Sequence, residues 1–305
     1  MTIRQADPFD LPSLFLNRSL CVGLDLMDEL AFGHPLQLHR VIRRTIPFAG
    51  QFTLVDSFST PNYLGVTFSP NNSTARLSFL LSTRDSSESS LDLLIEEACH
   101  IVANLGAFHL LADSFSGKIN NRTVKSLGFT VLSPRLIFEI KLLQQPATSL
   151  RWKGLLGPNA QMAKLVYDQL TPPNIVSVMP FNATSDQWWG CEGKTIFAKV
   201  SKGPAGVVIM PLVQIGTKDV ELAFVSLVQQ VSQGNKRPVY FILWPYMDWI
   251  APILEKIGGS ILIEDKVLVK NLAKKIRVHE EVVTRSTNGI RVQTSHFKQN
   301  DKVSV

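Results

Sequence analysis

The chain has 305 residues, 45% of them apolar and 18% charged, with a formal net charge of +6. This composition excludes a disordered chain and supplies core material for two domains more readily than for one. Residues 1–10 carry charge and no apolar run, so no secretory leader is expected, and no apolar stretch is long enough to span a bilayer.

Cys21, Cys99 and Cys191 are odd in number and far apart, with neither a disulfide framework nor metal-ligand spacing. A reducing cytoplasm is the expected setting, and no metal is expected. Between Lys274 and Val305 seven basic residues stand against three acidic ones, so +4 of the +6 lies in the tail and the body is close to neutral. The tail lacks aromatic interleaving and any motif, which disfavours nucleic acid as a partner.

In chain order, Thr2 to Ala6 alternates and predicts an opening strand. Asp10 before Leu11-Pro12 marks a helix start, with aspartate as cap and proline just inside. Residues 35–45 read as a basic amphipathic helix whose arginines form a solvated face. Gln51–Phe58, Asn62–Ser69 and Ala75–Leu81 predict three strands of a meander, with a turn at Pro70-Asn71-Asn72. A polar loop, residues 82–90, leads into a helix on which Leu91, Leu94, Ile95, Ala98, Ile101, Val102 and Leu105 share one face. Gly106 stops it, Ala107–Ala112 predicts a strand, and a short helix over 120–127 ends at Gly128. A last strand runs from Arg135 to Lys141. The strand, loop, helix and strand from Ala75 onward form a βαβ unit, whose loop is where backbone N–H groups and the helix dipole favour an anion.

The second half echoes the first. Gly206–Val213 matches the strand Ala75–Leu81, Gln214–Asp219 takes the place of the polar loop, and Val220–Val231 is a helix closed by Gly234, as the earlier helix is closed by Gly106. Val239–Leu243 matches Phe108–Leu111, Ile253–Gly258 matches Val124–Gly128, and Lys266–Leu272 matches Arg135–Lys141. Offsets of 128 and 130 residues at the two glycine pairs point to duplication. Trp188-Trp189 and Trp244–Trp249 add aromatic clusters that line either a ligand pocket or a domain interface.

These residues, in this order, resemble the GNAT-type N-acyltransferases. That family opens with a strand I-R-x-A and then D-x-x-x-L, here Ile3-Arg4-Gln5-Ala6 with Asp10 and Leu14. It ends a short helix with N-x-x-[AV]-x-x-x-L-G-F, here near Asn120, Asn121 and Leu127-Gly128-Phe129. The resemblance covers residues 1–141 and, more weakly, about 159–272. It implies an α/β fold of two tandem GNAT-like domains, each a mixed, mostly antiparallel sheet flanked by helices. The expected domains are residues 1–145 and 159–275, with a linker at 146–158 and a basic tail at 276–305.

The resemblance further implies acetyl-CoA or another acyl-CoA as co-substrate, held in a splayed notch between the fourth and fifth strands. The family's [QR]-x-x-G-x-[GA] loop cradles the pyrophosphate; its match here is Arg84-x-x-Ser87-x-Ser89, with serine in both glycine positions. Leu80, Ser82, Arg84, Ser86, Ser87, Ser89, Ser90 and Asn121 are the expected co-substrate contacts. The second loop, Gln214-x-x-Thr217-x-Asp219, sets a carboxylate against any pyrophosphate and is expected not to bind it. The tyrosine that protonates the departing thiolate in the family is replaced by Val124 and Leu254. Candidates for a general base are Glu88, His109 and Asp113, with Asp56 a further cleft-facing carboxylate. Two functions follow. One is acyl transfer to the amine of a small molecule or peptide. The other is a catalytically inactive GNAT-like protein that binds a ligand or a partner.

Overall fold

The computed structural model describes residues 2–37, 40–41, 50–56, 61–68, 73–82, 88–113, 127–141, 150–155, 158–182, 187–193, 195–232 and 237–272. Most of the basic helix predicted at 35–45, nearly all of the helix over 120–127 and the tail therefore lie outside the described residues. The elements of the first half are β1 (Ile3–Gln5), α1 (Leu11–Leu16), β2 (Cys21–Gly23), α2 (Leu26–Phe32), β3 (Gln51–Asp56), β4 (Tyr63–Phe68), β5 (Thr74–Leu81), α3 (Glu88–Asn104), β6 (His109–Asp113) and β7 (Thr130–Ile140). The second half holds β8 (Trp152–Gly154), α4 (Pro158–Leu170), α5 (Pro173–Val178), β9 (Trp188–Cys191), β10 (Ile196–Lys202), β11 (Val207–Val213), α6 (Val220–Ser232), β12 (Val239–Leu243), α7 (Ala251–Lys256) and β13 (Gly259–Asn271).

The strands join in one sheet, in the order β1-β3-β4-β5-β6-β13-β7-β12-β11-β10-β9-β8, with β2 added against β5. Each half repeats one plan: an antiparallel run, then a strand and its successor paired in parallel across a helix. The parallel pairs are β5 with β6 and β11 with β12. The interleaving in the middle departs from the simple tandem. β13, the last strand of the second half, pairs with β6, and β7 pairs with β12. The two halves thus exchange their last strands, and the exchanged strands pair with each other antiparallel from Gly259↔Ile140 to Val269↔Thr130. The stretch expected as a linker, 146–158, contains β8, which closes the far edge by pairing with β9.

Two separate apolar layers support the sheet. Leu94, Ile95, Ala98 and Val102 of α3 bury against Leu54, Leu64, Val66 and Leu77 in the first half. Ala223, Phe224, Leu227 and Val228 of α6 bury against Ile209, Leu212, Val213 and Phe241 in the second. The predicted 3.6-residue stripes are the faces that pack.

A buried charge cluster joins the apolar packing at the crossing point. Arg135 of β7 is fully buried; its Nη2 lies 2.6 Å from Oδ2 of Asp265 on β13 and 2.6 Å from Oδ2 of Asp113 at the end of β6. Arg76 of β5 donates to Asp113 Oδ1 at 3.0 Å and lies 3.6 Å from Asp25 Oδ1. Two guanidiniums thus serve three carboxylates. Burial pushes Asp113 up, but Arg135 and Arg76 outweigh it and hold its carboxyl below the ordinary range. Burial drives Asp25 and Asp265 upward, opposed by the arginines and reinforced by the charge on Asp113. One protein region from each half also meets through α2. The Ala31 carbonyl accepts from the Ala205 and Gly206 N–H groups at 3.0 and 3.1 Å, and a Cβ on Gly203 would stand 2.0 Å from that carbonyl oxygen.

Arg135→Met leaves two buried carboxylates without their cation, and we expect a loss of about 3–5 kcal/mol in urea unfolding. Gly203→Ala forces the hairpin between β10 and β11 off α2, with an expected cost of about 1–3 kcal/mol in the same assay. Carboxyl-carbon NMR should show Asp25 and Asp265 titrating above the ordinary aspartate range and Asp113 below it. The linkage follows: as pH falls through the raised values the folded state takes up protons first and gains stability, and it loses stability as pH falls through the depressed value of Asp113.

Candidate functional site

The notch expected between the fourth and fifth strands lies between β5 and β6. These run parallel only from Thr74–Arg76 against His109–Leu111 and then part. The gap is filled by the chain itself. β2 pairs antiparallel with the far end of β5, with Cys21↔Leu81, Val22↔Leu80 and Gly23↔Phe79. Beyond it, the Leu24 N–H donates to the Ser78 carbonyl and the Asp113 N–H donates to the Leu24 carbonyl, both at 2.9 Å. The Leu26 N–H then donates to Asp113 Oδ2 at 2.7 Å. Residues 21–24 therefore bridge both walls of the notch. A bulge makes this possible: Leu77 and Phe79 pair with Val66 and Gly65, and Ser78 between them has no counterpart on β4.

Among the expected co-substrate contacts, Leu80 is engaged with Val22 in this pairing. Ser82 follows β5 directly. Ser90 is buried and donates to Asp56 Oδ2 at 2.5 Å, while Asn62 Nδ2 donates to the same Asp56 oxygen at 2.7 Å. Ser90 and Asp56 thus tie α3 to the turn before β4 rather than facing an open cleft. Ser89 and Glu88 lie in the first turn of α3, and Arg84, Ser86, Ser87 and Asn121 lie outside the described residues. His109 and Asp113 occupy opposite ends of β6. His109 Nδ1 is 3.0 Å from Asn271 Oδ1, whereas Asp113 belongs to the buried charge cluster. The structure does not bring His109 and Asp113 together.

The corresponding notch of the second half lies between β11 and β12. Their register covers Val207–Ile209 against Val239–Phe241. The Val207 N–H donates to the Pro238 carbonyl, so alternate residues put Pro211 on the side facing this notch, where it offers no N–H. The turn Pro245–Ile250 after β12 packs against β11. Met247 and Ile250 join the core with Leu212 and Val213, and Trp244 is buried with Ile175 and Val178. The second loop closes on itself, with the Thr217 hydroxyl donating to the Gln214 carbonyl at 2.7 Å. Leu254, in the position of the thiolate-facing tyrosine, is fully buried.

The charged groups open instead on a cleft of about 500 Å3 between the halves. Asp25, Arg76 and Thr74 line it from the first half; Phe181, Trp188 and Lys199 line it from the second. The Thr74 hydroxyl donates to the Val178 carbonyl, pinning the rim. Phe181 and Trp188 stack at 4.7 Å and 25°, giving the cleft a flat aromatic wall. Asp25, 16% exposed at its side chain, caps α2 by accepting from the Asp28 N–H. A larger cavity of about 980 Å3 opens over Met162, Glu192, Thr217 and Lys218. Its ion pair, Lys153 with Glu192, is largely exposed, so the smaller cleft with its desolvated charges is the stronger site. Sequence reading did not find Asp25, Arg76 or Lys199. The only available signal was Asp25 before an apolar helix, which reads as a cap and nothing more.

No family model matches the chain, and no curated protein matches it in sequence. Solved structures do match in shape. A GCN5-related N-acetyltransferase from Sphaerobacter thermophilus superposes with a TM-score of 0.56 at 13% identity, covering 90% of this chain and 96% of that one. A tandem GNAT protein from the clavulanic acid biosynthesis pathway gives 0.53 at 13% identity, covering 90% and 100%. The repeated plan, the paired notches and these likenesses lead to one conclusion: this chain has the GNAT fold in tandem.

Proposed function

We propose that this protein is a catalytically inactive tandem GNAT-fold protein that binds a small ligand in the cleft between its halves. The observation that carries this reading is the position of Leu24. Its N–H and carbonyl occupy groups on both walls of the first notch, where the fold would otherwise seat an acyl-CoA. The replacements Val124 and Leu254 and the closed second loop support the same reading. The cleft volume falls in the range of small-molecule sites, roughly 300–1,000 Å3. Its balanced charges and aromatic wall suit a compact polar ligand such as a small-molecule or peptide amine.

A second reading, acyl transfer from acetyl-CoA or another acyl-CoA to such an amine, draws support from Asp25. Burial raises its carboxyl, which brings it toward the range of a general base, and it faces the cleft. In this reading residues 21–24 would have to leave the notch. Cys21, Cys99 and Cys191 form no disulfide, which suits the cytoplasm. Among the described residues no helix is long and apolar enough to cross a membrane.

Calorimetric titration of the full chain with acetyl-CoA separates the two readings. The expected result is no heat and no shift in Tm at millimolar ligand. Micromolar binding would restore the acyltransferase.

A further inference from the structure

The strap across the first notch has a specific build. Its hydrogen bonds go to both walls: Ser78 on β5 supplies an acceptor and Asp113 on β6 supplies a donor, and Leu24 takes both at 2.9 Å. These are the groups that any extended, amide-bearing ligand in the slot would need. Leu24 is also 2% exposed and joins the core formed by Leu64, Leu77 and Leu110. The strap is anchored beyond the slot as well. Leu26, the first residue of α2, donates to the Asp113 carboxylate, and Arg135 and Arg76 fix that carboxylate from two other strands. At its far end α2 docks on Gly203 and Gly206 of the second half. Moving residues 21–24 out would therefore leave Ser78 and Asp113 with unmet main-chain groups, strip a cation-bound carboxylate of a donor, and pull on α2.

We infer that the first slot has been converted into a peptide-binding groove that is permanently filled in cis. Residues Cys21–Leu24 are its ligand, bound as an added strand, and Asp113 is the latch. The slot recognises an extended main chain through β-strand addition, not a thioester co-substrate. This rests on the tandem GNAT fold and on the inactive reading of the first copy.

Site-resolved hydrogen exchange on the full chain tests it. In the unmodified protein the Leu24 and Leu26 amides should exchange about a thousand-fold or more slowly than an open peptide, together with the Leu77 amide of β5, because all of them open only with the core. Free pantetheine at 10 mM, on the order of a hundred times the protein concentration, should leave these rates unchanged. Asp113→Asn should speed exchange at Leu24 and Leu26 by about ten-fold or more relative to β11 amides such as Ile209, since Asp113 bonds directly to the strap and to no residue of β11. A Leu24 amide that exchanges at the open-peptide rate in the unmodified protein, or that loses protection when pantetheine is added, overturns the inference whether or not the variant folds. Acetyl-CoA binding that leaves Leu24 protected would instead overturn only the ligand assignment made above, because the co-substrate would then sit elsewhere.

Discussion

A single aspartate carries the connectivity of this fold. Asp113 accepts from Arg135 of β7, from Arg76 of β5 and from the main chain at the start of α2, with all its partners drawn from different elements. In a low-dielectric interior such an arrangement is strongly directional, since each ion is tolerable only when its counter-ions are in place. Apolar packing between β5, β6, β13 and β7 would accept several registers. The shared carboxylate accepts one. It also sets the local charge balance: with two guanidiniums for three carboxylates, burial pushes the outer carboxyls, Asp25 and Asp265, upward, while the arginines hold the central one down.

The two halves occupy the gap between their parallel strands in different ways. In the first, the gap between β5 and β6 is bridged by main chain, and the polar groups of both strands are satisfied by Leu24. In the second, the gap between β11 and β12 is packed with Met247 and flanked by Trp244, and the strand side that faces it carries Pro211. Main-chain filling keeps the hydrogen-bonding character of the site, whereas side-chain filling replaces it with apolar surface. The cleft between halves is where Asp25 and Arg76 meet Phe181, Trp188 and Lys199. Those residues come from both copies, so this site exists only in the tandem.

Much of the scaffold was legible in the sequence. The strands Gln51–Asp56, Tyr63–Phe68 and Thr74–Leu81 and the helix Glu88–Asn104 fall where alternation and 3.6-residue spacing place them. The repeat was legible because each half keeps the same apolar rhythm around its glycines. Partner choice was not. Arg135–Lys141 and Lys266–Leu272 are correctly matched as equivalent last strands, and equivalence is why a sequence cannot say which half each one joins. The strap was invisible for another reason. Cys21–Gly23 is three residues long, too short for any periodicity, and its hydrogen bonds come from main chain that leaves no trace in residue type. The cleft eluded sequence reading too, since its lining is gathered from nine separate segments and its largely buried Arg76 looks like surface charge in a linear chain.

The exchanged last strands also bear on how the chain is made. Until residues 259–271 leave the ribosome, the first half has β6 as an open, apolar sheet edge, and β7 can pair only with β12 on its other side. At about 5–20 residues per second, the 158 residues from Asp113 to Asn271 keep that edge waiting for on the order of ten seconds. The first copy therefore cannot finish folding as its own domain would. Its completion is timed by the end of the second copy.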